Sequence, residues 1–141
     1  MASSSLKAVQ SVFKAMVSSK GFDRVLDKVK IISAGDGNCH AELVVGPEHK
    51  NKIATLHGGM TATLVDTLST MGLLTHKVGV PGVTVDLHVS YMKAVADGET
   101  IVIDCSTLKA GRRLAFLSVE ITKKQTGELV ARGSHTKFIG S

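Results

Sequence analysis

The sequence predicts an α+β domain in which an antiparallel sheet wraps around a long central helix, with a short helix at the N-terminus. Three observations carry that prediction. Segments on both sides of the middle alternate apolar with polar residues, the period of a half-buried strand. Short glycine-containing turns separate many of them, which favours antiparallel neighbours. Between them, Met60 to Thr75 is apolar around nearly its whole circumference, as befits a helix that is buried or covered on its outer face by a partner.

The elements follow in order. The first 20 residues hold three lysines, six serines and no acid, with Leu6, Val9, Phe13, Met16 and Val17 at helical spacing. They read as a surface helix packed on the core; a mitochondrial targeting segment is the alternative. Val25 to Ala34 and Asn38 to Val45 read as two strands joined by Gly35-Asp36-Gly37. In the second, Cys39, Ala41, Leu43 and Val45 share one face, and His40 and Glu42 the other. A polar loop from Gly46 to Lys52 leads to Leu56-His57-Gly58-Gly59 and the central helix, whose exit is marked by Gly79, Pro81 and Gly82. Val83 to Tyr91 alternates as a third strand. Thr100 to Leu108, Leu114 to Lys123 and Glu128 to Ile139 follow, entered through Asp97-Gly98, Ala110-Gly111 and Thr126-Gly127. No repeat or linker divides residues 1–141, so one domain is expected.

Composition narrows the function classes. Hydrophobic residues are 43% and charged residues 21%, ordinary for a globular chain with its own core. Cys39 and Cys105 lie in strand-like runs without Cys-x-x-Cys spacing, and read as small buried hydrophobes in a reducing compartment, cytoplasmic and/or mitochondrial; a disulfide between them is the alternative. The net charge of +5 and pI near 9.4 suit an anionic partner. With no tryptophan and one tyrosine, stacking platforms for single-stranded nucleic acid are scarce, so no nucleic-acid partner is expected. No run of 18 apolar residues exists, so no membrane span is expected.

From Gly58 to Thr75 the only side chain that ionises near neutral pH is Asp66. A lone carboxylate on a greasy helix is either a tuned base or nucleophile, or the residue of the helix's one wet stripe; periodicity alone leaves both open. Just upstream, Gly58 and Gly59 allow backbone N–H groups at a helix N-terminus to approach a ligand, where the dipole favours developing negative charge. That is the need of an acyl-transfer oxyanion. Asp66 follows Gly59 by two helical turns, about 10 Å along the axis. One subunit does not easily close a thioester site over that distance, so either a loop folds back or a second subunit supplies half.

The run Asn51-Lys52-Ile53-Ala54-Thr55-Leu56-His57-Gly58-Gly59-Met60-Thr61-Ala62-Thr63-Leu64-Val65-Asp66 resembles the signature of the PaaI-like hotdog-fold acyl-CoA thioesterases. The similarity extends through Pro81-Gly82-Val83-Thr84-Val85-Asp86. The resemblance implies a hotdog fold and hydrolysis of medium- to long-chain fatty acyl-CoA to free acid and coenzyme A. It implies that the Gly58 N–H polarises the thioester carbonyl and that Asp66 activates or orients water, or attacks directly. Asn51 would reach the thioester from the facing subunit, and His57 would shape the loop. A serine usual early in the third strand is here Thr84, which keeps the hydroxyl and adds a stiff methyl branch.

For coenzyme A the resemblance implies contacts from Asp86, from Tyr91, Met92, Lys93, Ala94, Val95 and Ala96, and from Lys109, Ala110, Gly111, Arg112, Arg113 and Leu114. Lys93, Lys109, Arg112 and Arg113 suit nucleotide phosphates; a solvated basic surface is the plain alternative. A contact position that is usually histidine is Phe138 here. The resemblance further implies a homotetramer built as a dimer of dimers, association with phosphatidylcholine transfer protein, and no cofactor, coenzyme A being part of substrate and product. The other class of function is a module that binds acyl-CoA or a lipid-transfer partner with little turnover. His40, His49, His76, His88 and His135 lack the spacing of metal ligands, and no Gly-x-Ser-x-Gly elbow occurs.

Overall fold

The computed structural model describes residues 4–140; the first three residues of the N-terminal segment and Ser141 lie outside it. Helix α1 (Ser4–Val17) is followed by strands β1 (Lys30–Gly35) and β2 (Asn38–Val44), the long helix α2 (Gly58–Leu74), and strands β3 (Val83–Tyr91), β4 (Thr100–Ala110), β5 (Leu114–Lys123) and β6 (Leu129–Phe138). The six strands form one antiparallel sheet in the order β1-β2-β4-β5-β6-β3. Helix α2 packs against all six strands and against α1.

Most predicted elements are present, with three differences. The first strand begins at Lys30 rather than Val25, because Phe22–Leu26 winds into a 3₁₀ turn that buries Leu26. The central helix begins two residues before Met60, at Gly58, and ends at Leu74. Short connections predict neighbouring strands throughout, yet β3 does not pair with β4. It crosses to the far side of the sheet and pairs with β6, leaving β4 to pair with β2. The Asp36-Gly37 turn has positive φ at both residues (52° and 85°), the requirement of the two-residue hairpin turn that joins β1 to β2.

The two edges of the sheet differ. At β1 a bulge falls between Ile31 and Ser33, and α1 lies alongside, with Gln10 Nε2 donating to the Ile31 carbonyl at 3.0 Å. At β3 the outer edge is uncovered, and Val83, Val85 and Tyr91 are 65%, 57% and 56% exposed. The alternation in β3 is therefore covered only in part within one chain, where Leu87 and Val89 are half-buried against the core.

The core lies between the sheet and α2. Cys39, Ala41 and Leu43 of β2, Ile101, Ile103 and Cys105 of β4, and Leu117, Val119 and Ile121 of β5 point inward and are buried. Cys39 and Cys105 are directly opposed across β2 and β4 with free thiols, and burial pushes the Cys39 thiol up to about 12. Strand β6 breaks the apolar rule. Its buried inward row runs Ala131, Gly133, His135, Lys137. Gly133 is where α2 comes closest: a Cβ there would sit 2.5 Å from Val65 Cγ1. Val65 is fully buried and stiff at χ1, so it cannot turn aside. Gly133→Ala is expected to destabilise the fold by about 1–3 kcal/mol through overpacking, read as a lower denaturant midpoint with an unchanged slope.

Candidate functional site

The N-terminus of α2 is built by the loop before it. Asn51 Oδ1 accepts from the Ile53 and Thr55 amides (3.0 and 3.1 Å), and its Nδ2 donates to Thr55 Oγ1 (2.9 Å). This closes a tight turn in which Ala54 takes a positive φ of 66°. The turn delivers His57 as the N-cap of α2, where its Nδ1 accepts from the Gly59 amide at 2.8 Å. A neutral ring accepting at Nδ1 carries its proton on Nε2. The cap thus occupies the second amide of the helix. The Gly58 amide, one residue earlier, donates to no acceptor among the described residues. Across from it, Tyr91 at the end of β3 donates its hydroxyl to the Gly58 carbonyl at 2.6 Å.

Asp66 sits two turns further along α2 in a different environment. Its side chain is 48% exposed, so within one chain it lies on the open side of the helix, the second of the two readings the periodicity allows. Behind it stands a polar layer. The Asp66 carbonyl accepts from Ser69 Oγ (3.1 Å) and Thr70 Oγ1 (2.9 Å). Ser69 Oγ meets His135 Nδ1 at 2.8 Å, His135 Nε2 meets Thr84 Oγ1 at 2.9 Å, and Asp66 Oδ1 lies 3.8 Å from the same Nε2. With the Ser69 proton spent on the Asp66 carbonyl, His135 donates from Nδ1 and accepts at Nε2. Thr84 then spends its own proton on the ring and turns its lone pairs outward beside the Asp66 carboxylate. Burial lowers the pKa of His135, opposed by the nearby Asp66 and Asp86 carboxylates and reinforced by Lys137, so the neutral ring this layout needs is the favoured form.

The two groups lie at opposite ends of the chain's sheet. Register places Tyr91 opposite Ala131, and Thr84 opposite Lys137. Seven residues of strand separate Thr84 from Tyr91, about 23 Å. Gly58 and Asp66 are likewise about 12 Å apart along a regular helix. One end therefore holds Asp66, Thr84 and His135; the other holds Asn51, His57, Gly58 and Tyr91.

The coenzyme A candidates divide the same way. Tyr91 to Ala96 continues from the Gly58 end, with Met92 and Lys93 donating backbone N–H to the Val130 carbonyl and the Val95 carbonyl accepting from Leu56. Lys109 to Leu114 forms the β4–β5 turn at the Thr84 end, since Leu114 is opposite Phe138, and Phe138 is opposite Val83. Asp86 of β3 belongs to that end too. Lys109, Arg112 and Arg113 are exposed and make no ion pair among the described residues, whereas Lys93 is paired with Glu128 at 3.6 Å. Lys93 is thus the least available of the four cations, and Val95, 1% exposed, packs the loop rather than presenting a side chain.

Sequence reading missed His135 and Lys137 as part of this site. The signal was available in the period of β6: stepping by two from Ala131 puts both polar residues on the core face. Among the described residues no cluster of histidine, cysteine or acid has the makings of a metal site.

Comparison with known proteins identifies the family and the fold. The sequence profile of the thioesterase superfamily matches residues 54–130. The chain is 49% identical over 135 residues to acyl-coenzyme A thioesterase 13 of Homo sapiens, covering 96% of each, and 48% identical to that of Mus musculus, covering 99% of each. The crystal structure of zebrafish thioesterase superfamily member 2 superposes with a TM-score of 0.95 at 49% identity, over 98% of this chain and all of that one. A Streptococcus pneumoniae thioesterase crystallised with coenzyme A matches at a TM-score of 0.77 and 26% identity, over 82% of this chain and 88% of that one.

His135 makes folding stability depend on pH. Its folded pKa lies below the ordinary 6.5, so the unfolded chain binds the proton more readily. Its contribution is fully present above pH 6.5 and falls away as pH drops from there toward the lowered folded value. Denaturant unfolding is expected to show stability falling across that window, and His135→Gln is expected to flatten the profile there.

Proposed function

The chain belongs to the thioesterase superfamily, and on that footing we propose that it is an acyl-CoA thioesterase whose site is shared between two copies. The observation that carries the proposal is the division of the site groups between two ends of one sheet. The uncovered β3 edge supplies the means of joining them. Antiparallel pairing of β3 with β3 of a second copy about a two-fold axis sets the Tyr91 end of one copy beside the Thr84 end of the other. The same rotation lays the two α2 helices antiparallel, so the N-terminus of one approaches the middle of the other. The exposed Val83, Val85 and Tyr91 would be covered in that assembly.

In the joined site the Gly58 amide donates to the thioester oxygen, and its strongest interaction is with the oxyanion that forms on attack. Asp66 of the other copy takes a proton from water as the water attacks the carbonyl carbon. Thr84, its own proton held by His135, accepts from the same water and orients it. The tetrahedral intermediate then expels the coenzyme A thiolate, which leaves as thiol with the proton Asp66 took. Tyr91 and His57 hold the donor loop, and Asn51 holds the turn that precedes it. Lys109, Arg112 and Arg113 carry free positive charge toward the nucleotide phosphates, consistent with the coenzyme A bound to the streptococcal relative. Preference for medium- to long-chain acyl groups rests on the resemblance of the motif and is read directly from thiol release across a panel of chain lengths.

Two single substitutions and their mixture test the reading. Asp66→Asn is expected to lower kcat by about 10²–10⁴-fold, the range of a lost general base, with acyl-CoA binding retained. Gly58→Pro removes the N–H and sets the ring Cδ in its place, with the helix kept: proline is tolerated at the first helical position, and His57 already has the extended ψ of 133° that a residue before proline requires. It is expected to cost about 10²–10³-fold. In dimers mixed freely from the two variants, half the molecules carry one intact site, so activity returns to about a quarter of wild type. No recovery on mixing overturns the shared site; thiol release by Asp66→Asn at the wild-type rate overturns the role of Asp66.

A further inference from the structure

Lys137 is an ammonium in the interior, 5% exposed, on the core face of β6. Its one recorded side-chain hydrogen bond runs from Nζ to Thr70 Oγ1 at 2.7 Å. Thr70 in turn spends its single proton on the Asp66 carbonyl at 2.9 Å, so it can meet Lys137 only as an acceptor. The direction of the chain is therefore fixed: Lys137 donates to Thr70, and Thr70 donates to the backbone of Asp66. His135, two residues earlier on the same strand, does the same through Ser69. Two buried basic side chains of one strand thus grip a single carbonyl of α2, the one belonging to the residue with the working carboxylate.

A buried ammonium is costly, and a methionine of similar volume would pack here without that cost. Its retention calls for a task that charge performs. The groups facing it are few. Helix α2 presents Asp66, β6 presents His135, and β3 carries Asp86 near that histidine. Strand β5 offers only Ala115 opposite Lys137 and Leu117 opposite His135, and β3 places Thr84 opposite Lys137. The Asp66 carboxylate is the one charge that favours the ammonium form against burial.

We infer that Lys137 is a positioning residue of the thioesterase reaction: as an ammonium it fixes, through Thr70, the turn of α2 that aims Asp66, and it supplies the positive charge that faces that carboxylate once substrate and a second copy exclude water. The inference rests on the proposed role of Asp66. Excluding water raises the worth of such a charge, because the local dielectric falls.

The test follows decanoyl-CoA hydrolysis in the full-length oligomer. Lys137→Met removes the charge at nearly constant volume; it is expected to lower kcat about tenfold or more, in the range of a misplaced reacting group, with KM within about twofold. Its denaturant midpoint is expected to hold or rise, since a buried charge has gone. A structural role alone would move rate and stability down together. Thr70→Val cuts the same link, and combining it with Lys137→Met is expected to cost little beyond either single change.

Charge is tested separately by pH. Burial lowers the pKa of Lys137 from 10.5, so the wild-type rate is expected to fall on the alkaline side below that value as the ammonium deprotonates. Lys137→Arg keeps its charge and is expected to retain most of the rate and lose that alkaline fall. If Lys137→Met does not fold, Lys137→Gln, which keeps a donor for Thr70 without the charge, must show the same drop in kcat. Unchanged kcat in Lys137→Met or its glutamine substitute, or an identical alkaline limb in Lys137→Arg, overturns the inference. If Asp66→Asn itself hydrolyses at the wild-type rate, the reading of Asp66 has failed, and a Lys137 effect cannot then be assigned to it.

Discussion

A straight helix enclosed by a sheet fixes the distance between everything mounted on it. Helix α2 touches every strand and α1, so it has no freedom to bend its N-terminus back toward its middle. The free Gly58 amide is at its first residue and Asp66 at its ninth, two turns on. Nearly every other feature of the candidate site answers to that separation. Strand β3 repeats it on the sheet, with Tyr91 holding the Gly58 carbonyl at one end and Thr84 bonded to His135 at the other. The basic β4–β5 turn and the Tyr91–Ala96 segment repeat it once more. On the proposed reading each end is half a site, and each presents what the other lacks.

Much of this was legible in the residues. Alternation located most of the strands, and apolar residues around nearly the whole circumference of Met60 to Thr75 announced a buried or covered helix. The gap from Gly58 to Asp66 followed from helical rise alone. What was not legible has physical reasons. The crossing of β3 to β6 is a long-range pairing, and local turn chemistry has no hold on it. The Phe22–Leu26 turn has strand-like composition, yet Leu26 and Val29 are buried by i−3 backbone bonds instead of a ladder. His135 and Lys137 escaped because two polar residues in a terminal strand look like a solvated face until the register shows which side they occupy.

Asn51 and His57 show what recognised site residues do within one chain. All the recorded hydrogen bonds of Asn51 lie within its own turn, and one Nδ2 hydrogen remains for anything else. His57 spends its Nδ1 on the helix cap. Together they leave Gly59, and not Gly58, as the amide the cap consumes. Ala54, held at a positive φ that glycine would adopt without strain, shows how firmly that turn is imposed.

The unequal edges of the sheet have a consequence for growth. An exposed strand edge is a template, and a sheet open on both sides can add copies without end, as fibres do. Here Gln10 occupies the Ile31 carbonyl, the bulge at Ile31/Ser33 breaks the ladder, and α1 lies over it. Among the described residues, β3 is the edge left open. A chain with one usable edge can be extended once and then has nothing left to offer. If copies join through β3 as proposed, addition along the strand direction would end at a pair and would not run on into a filament.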